Sequence, residues 1–109
     1  PKKKNISVFE PHRYSRVISL KKEFARCFFR SKRVILCPLY AAGEKKNIKF
    51  DIIKFGEMIA QNSNTQVIII KNEIELERYL KKNLNDNEIV IGMGAGSISK
   101  WMFKLKHSL

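Results

Sequence analysis

Arg13 and Arg16 are the residues of this 109-residue chain best suited to chemistry. They stand three apart where a helix should begin, so both guanidinium groups can reach one side near the helix's positive end. Each offers planar, bidentate donors that suit a carboxylate or a phosphate. Lys outnumbers Arg by 16 to 6, so two Arg within four residues stand out from the composition. His12 adds a further donor beside them. The same run also reads as a solvated, positively charged first turn with Tyr14 packed on the sheet edge. Pattern alone leaves both readings open.

A second candidate is the run Gly92-Met93-Gly94-Ala95-Gly96-Ser97. Its glycines permit close backbone approach to a ligand, and a helix start beyond them would favour an anion. As a dinucleotide fingerprint it fails, because Ser99 stands where the third glycine belongs and no acidic residue follows to bind a ribose. No GxxxxGK[ST] loop fits either. Glycines serving a tight strand-to-helix turn is the plainer reading. His12, His107, Cys27 and Cys37 lack ligand spacing, and both thiols sit in apolar contexts expected of core cysteines. Glu10 and Glu44 are the only carboxylates in the loops that follow strands, and they follow different strands. Glu44 would equally cap the turn after Gly43. Neither a metal site nor a catalytic residue is expected.

The elements that must position these residues follow from periodicity. Strands are expected over 5–9 (NISVF), 33–40 (with VILC, stopping near Pro38), 66–70 (QVIII) and 88–92 (EIVIG). Helices are expected between and after them. Residues 15–30 carry Val17, Leu20, Phe24, Cys27 and Phe28 at helical spacing, and residues 50–61 carry Phe50, Ile53, Met58 and Ile59. Residues 73–84 form a third helix with Asn72 as its N-cap, and 97–106 a fourth. Apolar runs such as VILC and VIII suggest strands buried on both faces, as in a parallel sheet covered by helices. The expected fold is a three-layer, open α/β sandwich of Rossmann type. Ligands of such sheets sit beyond the carboxyl ends of the strands, where strand order reverses. The PHRYSR and GAG loops can share a ligand only if the first and fourth strands are neighbours, which right-handed crossovers allow in the order 4-1-2-3.

Composition bounds the alternatives. The apolar fraction of 44% argues against disorder, and no apolar run exceeds four residues, which excludes a membrane-spanning helix. No signal peptide is visible, and two Cys without CxxC spacing suit a reduced, cytoplasmic protein. The first residue is not Met, so the start is expected to be cut. The net charge of +12 invites a nucleic-acid reading. Against it, Lys, Ile and Asn, the residues of AT-rich codons, number 16, 14 and 8, and the basic residues are scattered along the chain. Neither nucleic acid nor membrane is expected as a partner.

Three motifs carry a resemblance. Val8-Phe9-Glu10-Pro11-His12-Arg13-Tyr14-Ser15-Arg16, Tyr40-Ala41-Ala42-Gly43-Glu44 and Met93-Gly94-Ala95-Gly96 resemble, in order and spacing, the C-terminal domain of UDP-N-acetylmuramate–L-alanine ligases, a branch of the Mur ligases. The resemblance spans residues 6–100 and implies a part in peptidoglycan biosynthesis. The implied activity is ATP-dependent joining of L-alanine to the lactyl carboxylate of UDP-N-acetylmuramate through an acyl phosphate, with Mg²⁺. In that family the central domain supplies the ATP and metal sites, and the C-terminal domain helps bind the amino acid and closes the site. By position, His12, Arg13 and Arg16 would face the substrate, with the two Arg on the alanine carboxylate. Tyr14, Tyr40, Glu44, Gly94 and Gly96 are further candidates for the lining. The family's usual Asp after GAG is Ser97 here, and its DDYxHHP-type segment is absent. Residues 1–109 are thus expected to be that domain without its first strand, inactive alone and partnered by the rest of its own chain. The alternative is a stand-alone Rossmann-like or flavodoxin-like module that binds an anionic ligand or a protein.

Overall fold

The computed structural model describes residues 3–94 and 98–108. Strands and helices alternate as β1 (Lys4–Glu10), α1 (Tyr14–Arg26), β2 (Arg33–Leu36), α2 (Ile52–Asn62), β3 (Gln66–Ile69), α3 (Glu73–Asn83), β4 (Glu88–Gly94) and α4 (Ile98–Ser108). The sheet is parallel throughout, in the order β3-β2-β1-β4, which is the expected 4-1-2-3 read from the other edge. The steps from β1 to β2 and from β2 to β3 run one way, and the step to β4 runs back. Right-handed crossovers therefore send α1 and α2 to one face and α3 to the other.

The core divides accordingly. Phe9, Val34 and Leu36 meet Val17, Ala25 and Phe28 of the α1 region and Phe55 and Ile59 of α2. Ile6, Val8, Ile35 and Cys37 meet Leu76 and Leu80 of α3 and Ile98 and Leu105 of α4. Successive residues of β1 and β2 thus serve opposite cores, which is why both strands read as continuous apolar runs. Among the described residues no helix is long and apolar enough to cross a membrane.

Several sequence expectations need correction. β3 is an edge strand, so VIII is not buried on both faces: Ile70 is buried, whereas Ile69 is 39% exposed. Helix α1 ends at Arg26 rather than at residue 30, and its backbone breaks at Leu20 (φ −112°, ψ 17°). Leu20 and Cys27 consequently leave the buried stripe for the surface, so Cys27 is not a core cysteine. In α2, the Asp51 side chain accepts from the Ile53 and Lys54 amides, which fixes the helix start and turns Ile53 outward. β2 stops at Leu36, and parallel pairing resumes only as a single bridge between His12 and Tyr40.

The amino ends of the strands are tied by one buried carboxylate. Glu88 accepts 2.9 Å bonds from Lys32 Nζ, Arg33 Nη2 and the Asn85 amide. The Lys32 bond, the Asn85 amide and the two positive charges hold the Glu88 carboxyl below its ordinary value. Its stabilising effect is present above the ordinary carboxylate range and is lost as pH falls through that lowered value. Glu88→Ala leaves Arg33 partly buried and unpaired, and should cost about 3 kcal/mol of stability at neutral pH. The urea midpoint measures this, and the gap between parent and variant should close as the pH is lowered.

Candidate functional site

β1 and β4 pair over seven positions, from Lys4 opposite Glu88 to Glu10 opposite Gly94. The last pair sets the close approach of the two strand ends. Gly94 has φ +138°, and a Cβ there would lie 2.6 Å from the Glu10 carbonyl oxygen. No other residue fits without moving backbone. Just beyond this pair lies a pocket of about 340 Å³ lined by Phe9, Glu10, His12, Arg16, Phe24, Met93 and Gly94. Phe9 and Met93 are cross-strand partners, and Phe24 stands two helical turns along α1 from Arg16. The pocket is therefore lined by the apolar side chains of Phe9, Phe24 and Met93 together with Glu10, His12 and Arg16.

The residues around Arg13 are held from β2. Arg13 is the N-cap of α1, at φ +67°, and its side chain makes no capping bond. Its amide donates to the Tyr40 carbonyl at 2.8 Å, and the Tyr40 amide donates to the Pro11 carbonyl at 2.8 Å. The His12 and Tyr40 rings stack at 5.4 Å, 7° from parallel. Glu44 crosses from the loop after β2 and accepts from both the amide and the hydroxyl of Ser15. Those Ser15 bonds, above all that from the hydroxyl, hold the Glu44 carboxyl below its ordinary value, with Arg13 adding a smaller pull.

The two arginines part company. Both are exposed, but Arg16 lines the pocket with His12, whereas Arg13 lies outside its lining. Tyr14 turns the other way, edge-on to Phe50 at 6.0 Å, and lines a second hollow of about 550 Å³ with Leu39, Lys46 and Phe50. Gly94 joins the pocket, and Gly96 and Ser97 lie outside the described residues.

Two further features bear on the chemistry. Glu10 is only 2% exposed, and one of its carboxylate oxygens accepts from the Ile98 amide at 3.3 Å, in the first turn of α4. Burial, with the Glu10 charge adding to it, pushes the Cys37 thiol up to about 12. Cys27 is exposed as a residue, but partial desolvation of its sulfur also raises that thiol. Neither sulfur is poised as a thiolate. Among the described residues no three His, Cys, Asp or Glu side chains gather as metal ligands.

No family model matches the chain. Curated relatives do. The chain is 42% identical over 100 residues to a UDP-N-acetylmuramate–L-alanine ligase of Pelagibacter ubique, covering 92% of the chain and 22% of that protein. Proteins of the same name from Prochlorococcus marinus and Bartonella tribocorum are 35% and 33% identical over 106 and 104 residues, each covering 95% of the chain and 22% of the relative. The chain belongs to the UDP-N-acetylmuramate–L-alanine ligase family. It spans about a fifth of the length of the family members it matches, in their C-terminal part.

For a ligase-family domain, the pocket walls were the part hardest to see in the sequence. Phe24 stood out only as a core residue, and Met93 only as a loop residue between glycines. Their shared wall arises from the register that places Met93 beside Phe9. Gly94→Ala tests how tightly that wall is built. It should destabilise the domain by at least about 2 kcal/mol, since it combines a disallowed φ with a backbone clash. Chemical denaturation measures the loss. Exposed Gly43, also at positive φ but with open space at its Cβ, is the control for backbone strain without a clash.

Proposed function

We propose that residues 1–109 form the amino-acid-binding, C-terminal domain of an ATP-dependent ligase that joins L-alanine to UDP-N-acetylmuramate for peptidoglycan. The observation that carries the reading is the meeting of Arg16 and His12 in one pocket at the β1–β4 strand ends. Family membership supplies the reaction. Such an enzyme works where its nucleotide substrates are, in the cytoplasm.

In this reading Arg16 grips the alanine carboxylate with bidentate donors, and His12 adds a donor on the same side. Phe9, Phe24 and Met93 exclude water from the methyl side of the amino acid. Holding the carboxylate fixes where the amine points, toward the activated lactyl carbonyl, and the amide forms as phosphate leaves. That is a positioning role. Arg13, outside the pocket lining, takes the outer share of the same charge or reaches the nucleotide sugar as the domains close. In this reading ATP and Mg²⁺ would drive the reaction and would be held by the rest of the chain, as the family's division of domains implies.

The test is steady-state kinetics of the full-length enzyme. Losing one charge-assisted contact costs roughly 1.5–3 kcal/mol, so Arg16→Lys should lower kcat/KM for alanine on the order of 10- to 150-fold. Arg13→Lys should cost less, and Arg78→Lys on α3 nothing measurable. The KM for ATP should hardly move. If Arg16→Lys turns over alanine like the parent, the pocket is not the amino-acid site. Separately, the isolated domain should release no phosphate from ATP, and Mg²⁺-dependent release by the pure domain would contradict the reading.

A further inference from the structure

α1 lacks the usual device for starting a helix. Its first-turn amides need acceptors, yet the N-cap Arg13 supplies none from its side chain and the first turn carries no acid. The loop after β2 makes good the lack. Glu44 Oε1 accepts from the Ser15 amide at 3.2 Å and Oε2 from the Ser15 hydroxyl, while the Tyr40 carbonyl accepts from the Arg13 amide. One loop thus grips the chain at Arg13, the residue at φ +67°, and again two residues further on at Ser15. A left-handed Arg persists only where its surroundings enforce it.

The loop itself is fitted to this grip. It turns through Ala42 (φ 53°) and Gly43 (φ 88°), and the Glu44 amide closes the turn on the Ala41 carbonyl at 3.0 Å. That turn aims the Glu44 side chain back at α1 across 29 residues of sequence.

We propose that Glu44 is a positioning residue for amino-acid binding: its carboxylate, bonded to Ser15, fixes the start of α1 and so sets where Arg16 stands in the pocket. The inference rests on the reading of that pocket as the amino-acid site. Glu44 is not among the residues lining the pocket, so its effect passes through Ser15 and the helix start. It fills no core position either, so its loss should disturb geometry far more than stability.

The experiment is kinetics on the full-length ligase with four variants. Glu44→Ala should raise the KM for alanine about 10-fold, the order expected from a misplaced binding group. The KM for ATP should stay within about 2-fold, and the melting temperature within about 2 °C. Glu44→Gln keeps an acceptor for the Ser15 amide and should recover most of the alanine affinity. Ser15→Ala combined with Glu44→Ala should be no worse than Glu44→Ala alone, because the two act as one unit. Arg16→Lys separates the two ideas. If it raises the alanine KM while Glu44→Ala does not, the positioning role is wrong and the pocket reading stands. Should neither variant move the alanine KM, both are wrong. A large fall in melting temperature with equal losses for both substrates would make Glu44 a structural residue and overturn the proposal.

Discussion

The parallel pairing of β1 with β4, closed at Glu10 and Gly94, is the contact on which the candidate site depends. Strand order reverses at β1. α1 therefore leaves β1 on one face while α3 and α4 pack on the other, and a crevice opens between the diverging elements. One step along β1 then divides the labour. Phe9 faces the α1–α2 core and forms a wall of the pocket, while Glu10 points toward Cys37 and the first turn of α4. With a side chain at position 94 the strand ends would separate, and wall and carboxylate would separate with them.

Half of the carboxylates in this chain are engaged with backbone amides. Glu10, Glu44, Asp51, Glu75 and Glu88 each accept from a main-chain N–H, which is five of the ten acidic residues. Four of these five bonds lie at or beside helix starts, where unpaired amides gather and the helix dipole favours negative charge. Acids held in this way neutralise little of the outer surface. Apart from Arg33 in its ion pair with Glu88, Lys and Arg have no comparable role inside, and the net charge of +12 set by composition lies mostly on the surface.

Much of the fold was legible because the period of the apolar residues matches the elements, and because one requirement, neighbouring first and fourth strands, selected the order found. What escaped was set by contacts distant in sequence. The break at Leu20 has no Pro or Gly to announce it, and it moved Leu20 and Cys27 out of the stripe that periodicity assigned them. VIII looked fully buried because an edge strand and a central one can share a composition, and only the pairing tells them apart. In the site, spacing brought Arg13 and Arg16 together, but only Arg16 lines the pocket, and Arg13 stands at a positive φ as the N-cap of α1. The signal for that was in the later segment Tyr40 to Glu44, whose grip on α1 is visible only in three dimensions. For Gly94, by contrast, the glycine itself was the signal, and the structure supplies the reason for it.

Backbone strain supplies an independent pointer to the same end of the sheet. Among the described residues five have positive φ: Arg13, Ala42, Gly43, Asn64 and Gly94. Four of them, all but Asn64, lie in or just beyond the carboxyl ends of β1, β2 and β4. Asn64 sits in the turn before β3, at the opposite end. Strain of this kind persists where surrounding contacts over-determine the backbone, and it gathers where side chains must be aimed rather than merely packed. Glu88, at the amino ends, shows the contrast: a buried charge there is fully paired and ties strands together with ordinary backbone around it. The two ends of one sheet are thus built to different standards. One holds a paired, buried carboxylate, with the neighbouring Arg33 Nε lacking a hydrogen-bond partner and a single positive φ at Asn64. The other accepts a left-handed Arg and a buried Glu around an open pocket, and selection for stability alone would have little reason to keep either.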